Sequence, residues 1–149
     1  MSPLHWQFTH FRDLSVEQLY AMLKARQDVF ILEQTCLWAD LDDKDQDAHH
    51  LLGWRDGRFA ACVRVLAPGV AYPEEASIGR VLTTRAERGT GAGRALMHEA
   101  IRHTTALYPQ QRIRIGAQQY LEKFYQSFGF ATVSDPYEED GIMHVEMLR

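Results

Sequence analysis

Apolar positions recur along this chain with two periods, and the switches between them mark the elements. "LHWQFTHF", Leu4 to Phe11, is a short aromatic-rich run that fits a first strand. In "SVEQLYAMLKARQDVF", Val16, Leu19, Tyr20, Leu23 and Phe30 fall at helical spacing, which predicts a helix from about Val16 to about Phe30. Ser15 stands where an N-cap belongs, and Gln18 three residues on completes a capping-box pattern. "HHLLGW" and "RFAACVRVLA" read as strands joined at "RDGR", where Asp56-Gly57 favours a two-residue hairpin turn. "ASIGRVLTT" is a further strand. Leu96, Met97, Ala100, Ile101, Thr104 and Leu107 then mark one face of a helix that Pro109 stops. After the strand "RIRIGA", Leu121, Phe124, Tyr125 and Phe128 mark a short helix, with Gly129 placed for a left-handed C-terminal cap. "FATV" and "MHVEML" close the chain as strands, while Thr35 to Ala48 is read as loop and "GVAYPEE" as a surface connection. The predicted order, β-α-β-β-β-α-β-α-β-β, is a mixed α/β (α+β) fold around a largely antiparallel sheet.

Composition narrows the class. At 149 residues the chain is expected to be one domain, residues 1–149, long enough to bury a real core. A formal charge of −4 and scattered arginines argue against nucleic acid as the main partner, since no basic stripe supplies counterion release. Cys36 and Cys62 lack C-x-x-C or zinc spacing and read as reduced core or strand residues. No apolar run approaches the roughly 18 residues that a membrane helix needs, so no membrane partner and a cytoplasmic location are expected.

The sharpest local signal is "RGTGAG", Arg88 to Gly93, between a strand and a helix. Strand, glycine turn, helix and strand from Ala76 to Ala117 form a crossover that puts the two strands parallel and the turn at the helix N-terminus. Unpaired N–H groups and the helix dipole favour an anion there, and glycines at 89, 91 and 93 clear the backbone for a phosphate. A Walker A loop is excluded because no lysine follows the glycines. A dinucleotide fingerprint fails because the third glycine position, counted from Gly89, is Arg94.

The remaining phosphate motif, [QR]-x-x-G-x-[GA], is met by Arg88, Gly91 and Gly93, and this region resembles the pyrophosphate loop of the GCN5-related N-acetyltransferases. Val81-Leu82-Thr83 stands where that family's strand precedes the loop. Gln118 sits seven residues before Tyr125, where the family places an amide before its tyrosine, and a Gly-Phe pair follows in "FYQSFGF". "RQDVFILEQ", "DLDDKDQDAHHLLG", "IGRV", "AQQYLEKFYQSFGF" and "EDGIMH" are similar to blocks of the ElaA-like branch. The resemblance implies the acetyltransferase fold, with two splayed parallel strands, and acetyl-CoA as cosubstrate. It implies that Arg88, Gly89, Thr90, Gly91, Ala92, Gly93 and Arg94 hold the pyrophosphate. Val81 and Thr83 would pair with the pantetheine arm, a backbone N–H near Leu82 would face the oxyanion, Gln118 would fix backbone and cofactor, and Tyr125 would be the general acid.

The expected reaction is acetyl transfer to a primary amine of a small molecule or peptide. Rival readings are a non-catalytic acyl-CoA-binding or interaction module on the same fold and an acyl-CoA hydrolase. A homodimer is left open. "SIGRVLTT" carries no carboxylate to act as base, which leaves Glu33, His50 and His144 as candidates, each direct or through water. The aspartates at 40, 42, 43, 45 and 47 do not form a calcium loop: with Asp43 first, Ala48 falls where glycine is needed and Trp54 where the bidentate Glu belongs. This segment is expected to be a solvated surface that, with "YEEDG", can line an acceptor site and attract a cationic amine.

Overall fold

The structure, a computed structural model, describes residues 1–149. The elements run β1 (His5–His10), α1 (Val16–Arg26), β2 (His49–Arg55), β3 (Arg58–Leu66), β4 (Ala76–Thr83), α2 (Ala92–Leu107), β5 (Ile113–Gln118), α3 (Glu122–Gln126), β6 (Ala131–Thr132), β7 (Tyr137–Glu139) and β8 (Ile142–Leu148). The strands form one sheet in the order β1-β2-β3-β4-β5-β8-β6, with β7 paired to β8 off that path. Every pairing is antiparallel except β4 with β5, which α2 connects.

The central strands are buried on both faces, and the pleat explains their continuous apolar sequence. On β2 and β3, Leu51, Ala61, Val63 and Val65 join Leu96, Met97, Ala100 and Ile101 of α2 in the larger core. The alternate residues Leu52 and Cys62 join Met22, Ala25 and Val29 in a smaller core under α1. The two long helices therefore cover opposite faces. Burial of Cys62 pushes its thiol up to about 12, which leaves it inert at neutral pH. Cys36 is also free but half-buried and lies in neither core nor strand.

Local signals act as expected at several points. Ser15 and Gln18 form a reciprocal capping box. Asp56 and Gly57 both take positive φ, 51° and 75°, as the two-residue turn between β2 and β3 requires. Two expectations are corrected. The α-helix ends at Arg26, and Gln27–Glu33 continues as widened π turns, with Gln34 N–H donating to the Val29 carbonyl. The run Val29-Phe30-Ile31-Leu32 is apolar throughout and has no period that would hold a 3.6-residue register. The turn Asp140-Gly141, with φ of 53° and 79°, joins β7 to β8, a short hairpin absent from the predicted order.

The larger correction concerns the acidic segment, which is not a solvated surface. Asp40, Asp42 and Asp45 turn inward onto Arg26, Arg64 and Arg80. Arg26, 0% exposed, places Nε 2.8 Å from Asp40 Oδ2 and Nη1 2.8 Å from Asp45 Oδ1. Arg64 donates to both Asp42 oxygens, at 2.7 and 2.9 Å, and to Asp45 at 3.1 Å. Arg80 reaches Asp40 Oδ1 at 2.8 Å and Asp42 Oδ2 at 3.2 Å. Only Asp43 and Asp47 of this group stay exposed. Burial alone would raise the Asp42 carboxyl, but hydrogen bonds and charge from Arg64 override it and hold it at about 2. Asp45 is likewise lowered, its burial outweighed by Arg26 and Arg64.

The network sets two expectations. Carboxyls lowered by folding stabilise the fold fully above their unfolded pKa of about 3.9 and cease to do so as pH falls through the folded value. Urea midpoints should therefore drop steeply between about pH 4 and pH 2. Asp45→Asn leaves the buried guanidinium of Arg26 short of a partner and should cost about 3 kcal/mol in urea unfolding, against about 0.5 kcal/mol or less for exposed Asp43→Asn.

Candidate active site

β4 and β5 are in register only at their first residues, Ala76 with Ile113 and Ser77 with Arg114. Beyond that point β4 stays with β3 and β5 with β8, so their facing edges part and leave backbone groups without a strand partner. A groove of about 1140 Å³ fills the opening. Its walls include Ser77 to Thr83 of β4 and Ile115, Gly116 and Gln118 of β5. Val81, Leu82 and Thr83 thus line the groove as a free sheet edge.

One end of the groove is lined by Arg85 and Arg88, next to the glycine loop that opens α2. Gly89 and Gly91 hold left-handed φ of 77° and 86°, and a Cβ on Gly89, Gly91 or Gly93 would meet no atom within 4 Å. The space over the loop is open, and the N–H groups of Gly89, Gly91, Gly93 and Arg94 donate to no carbonyl of the chain. Thr90 and Ala92 are tied inward: Thr90 Oγ1 donates to the Glu87 carbonyl at 2.6 Å and accepts from Ala92 N–H at 3.3 Å. This cradle of free donors suits the diphosphate of an acyl-CoA. Arg88 already carries a counter-charge, an ion pair with Glu33.

The other end gathers aromatic and titratable groups from separate elements. Tyr125 on α3 is 6% exposed, packs edge-on against Phe124 and Phe130, and lines the groove. Burial pushes its phenol up to about 12. Gln118 lies opposite His144 in the β5–β8 register. His144 Nδ1 is 2.7 Å from the Ile142 carbonyl, to which it donates, and Nε2 lies 3.7 Å from Glu139 Oε2. The His144 ring stacks on Tyr137 at 5.8 Å.

Of the three base candidates, only His144 belongs to this end. His50 is 1% exposed, outside the groove, with Nε2 bonded to the Asp45 carbonyl at 3.0 Å, because its strand position points under the acidic segment. Glu33 borders the groove but faces the loop end through Arg88 and Arg85. Of the acidic segment only Asp40 borders the groove, and its charge is matched by arginines.

Three groups at this end escaped the sequence. Glu146 accepts hydrogen bonds from Tyr137 and from Arg114 Nε at 2.9 Å, and the Arg114 guanidinium lies over the Tyr72 ring at 5.1 Å. Burial opposes its ionisation, but bonds from Tyr137 and Arg114 lower its carboxyl and keep it charged. A Cβ on Gly116 would come within 3.0 Å of Tyr137 Oη and 3.1 Å of Glu146 Oε2, so glycine lets this cluster close over β5. Tyr72 belongs to the connection read as surface. The alternation of "MHVEML" does place His144 and Glu146 on one face, and that is the signal that pointed here.

An open sheet whose two parallel strands part beside a glycine-rich helix start defines an acyl-CoA N-acyltransferase. A family profile described as "Acetyltransferase (GNAT) domain" matches residues 12–149, and the chain belongs to that family. Within it the chain falls in the ElaA-like branch. It is 42% identical over 148 residues to protein ElaA of Escherichia coli, covering 98% of this chain and 96% of that protein. A UPF0039 protein of Synechocystis is also 42% identical, over 97% of this chain and 94% of that protein. The crystal structure of ElaA superposes with a TM-score of 0.92 at 41% identity, over 99% of both chains. An acyl-CoA N-acyltransferase from Pseudomonas aeruginosa superposes with a TM-score of 0.93 at 38% identity, again over 99% of both.

The open loop generates a direct expectation. Gly91→Val forces a branched residue into left-handed backbone, at a cost of about 1–2 kcal/mol, and fills space the diphosphate would use. The folded variant should lose CoA affinity at least about tenfold by calorimetry, since a single well-placed charge-assisted hydrogen bond is already worth that much. Unchanged affinity would remove the phosphate assignment from this loop.

Proposed function

We propose that the protein is an acetyl-CoA-dependent N-acetyltransferase that acylates a primary amine of a small molecule or peptide by direct attack on the thioester. The observation that carries this reading is Tyr125: a phenol more than nine-tenths buried, open on the groove where β4 and β5 part. Arg88 and the free N–H groups of Gly89, Gly91, Gly93 and Arg94 hold the diphosphate, Thr90 and Ala92 shape the loop from within, Val81 and Thr83 extend the sheet to the pantetheine amides, and Gln118 fixes the adjacent backbone. A β4 N–H near Leu82 donates a hydrogen bond to the carbonyl oxygen as charge builds on it.

The amine nitrogen forms its bond to the carbonyl carbon as the carbon–sulfur bond breaks. His144 Nε2 accepts the proton the amine sheds, directly or through one water, with Glu139 beside it. Tyr125 donates its proton to the departing sulfur and recovers one from solvent. A phenol at about 12 stays protonated at neutral pH, the state a donor needs. Its transfer to a thiolate of about 8.5 is uphill taken alone. The net movement, from an acylated ammonium to a thiolate, is downhill.

Tyr125→Phe retains the ring against Phe124 and Phe130 and removes only the hydroxyl. Acetyl-CoA affinity and Tm should change little, while kcat falls by about 10². The loss should shrink with a more acidic leaving thiol. Wild-type turnover in this variant would take Tyr125 out of the reaction. Assay of free thiol against a panel of amines tests the whole reading: acyl-CoA binding without turnover marks a binding module, and thiol release without an amine marks a hydrolase.

A further inference from the structure

Along β4 the chain uses three steps, Gly79 to Leu82, where β3 opposite uses two, Arg64 to Cys62. The extra residue is a bulge, and it shifts the phase of the strand. In an uninterrupted strand Ile78 and Leu82 would share a face. Here Ile78 lies in the core under α2, and Leu82 lies in the core under α1. Val81 instead packs against the same core as Ile78. Backbone N–H groups alternate with the side chains, so the bulge also decides which β4 amides face the groove beyond Gly79.

Arg80 sits in the bulge with φ of 50°, a left-handed conformation costing a non-glycine residue about 1 kcal/mol or more. Glycine would adopt it freely, and Gly79 is next door with a φ outside that region. What compensates at position 80 is the side chain. Its Nε lies 2.8 Å from Asp40 Oδ1, and its Nη2 donates to the Asp40 carbonyl at 2.8 Å and to Asp42 Oδ2 at 3.2 Å. Both aspartates are pinned from elsewhere, Asp40 by Arg26 of α1 and Asp42 by both terminal nitrogens of Arg64. Arg64 is the β3 residue paired with Gly79, so the clamp closes across the bulge itself.

We propose that Arg80 is a positioning residue for acyl transfer: its clamp onto Asp40 and Asp42 fixes the bulge and with it the β4 amide that faces the thioester carbonyl. The proposal rests on the acyl-transfer reading of the groove. It makes the buried charge network part of the catalytic apparatus, although Asp42 and Arg64 touch no substrate.

The test compares wild type, Arg80→Gly and Arg80→Lys. Glycine keeps the left-handed backbone accessible while removing the clamp, and lysine keeps a charge within reach of Asp40. Amide hydrogen exchange at Val81–Thr83 in the free protein reports the bulge. The infrared carbonyl stretch of bound, isotope-labelled acetyl-CoA reports hydrogen bonding at the thioester. Arg80→Gly should speed exchange at these amides, return the stretch toward its value in water and lower kcat by about 10², with CoA affinity within about threefold. Arg80→Lys should recover part of both the stretch and kcat. If Arg80→Gly does not fold, Asp42→Asn weakens the same clamp and is read by the same two spectra. A lower Tm with the wild-type stretch and kcat retained would overturn the proposal. A wild-type stretch equal to that of free acetyl-CoA would instead overturn the acyl-transfer reading, whatever Arg80 does.

Discussion

Three guanidinium groups and three carboxylates meet between α1, β3 and β4, and the arrangement of everything around the groove follows from matching them. An isolated buried charge costs several kcal/mol, so Arg26, Arg64 and Arg80 are tolerable only while Asp40, Asp42 and Asp45 are turned onto them. The match is one to one in charge, and each carboxylate is held by residues from more than one element. That fixes where α1 ends, how the chain returns from the π turns to β2, and where β4 bulges.

The groove carries the opposite cost. Parting β4 from β5 leaves backbone donors and acceptors unpaired in the middle of a sheet, where such groups are normally satisfied. On the proposed reading, a ligand with amides spaced like a peptide would complete that edge as an added strand does. The rigid core under α2 and the ion pairs under α1 grip the two sides of β4 and keep it from closing on β5. The open edge is thus maintained by packing on both faces of the sheet rather than by anything within the opening.

Much of this was legible in the sequence, and the limits are physical. The glycine register, the capping box and the Asp56-Gly57 turn are local signals that need no tertiary context. Tyr125 and Gln118 stood out through their resemblance to the family's amide and tyrosine positions, and both border the groove. The acidic segment misled because aspartates in a loop ordinarily face water. Its partners left a trace nonetheless: Arg64 interrupts an apolar run in "ACVRV", and Arg80 does so in "SIGRV". Arg26 shares the inward face of α1 with Met22. An arginine in such a position needs an anion from elsewhere, and only folding shows which. The β7–β8 hairpin was signalled by Asp140-Gly141, the dipeptide that marks the β2–β3 turn, but a three-residue strand is too short to show a period. Glu146 is held by Arg114, 32 residues away, which also lies over the Tyr72 ring, and no local pattern joins the three.

The pairing of Glu33 with Arg88 gives the loop end of the groove an internal anion. A diphosphate that takes Arg88 exchanges with a carboxylate rather than with salt from solution. The exchange frees no counterion from that arginine, so Arg88 contributes less to the salt dependence of binding than an unpaired arginine would. It also works in reverse: when the ligand loosens, Glu33 is on hand to retake the guanidinium. On the proposed reading, entry and exit at this end would be a substitution between two anions, with the protein supplying one of them.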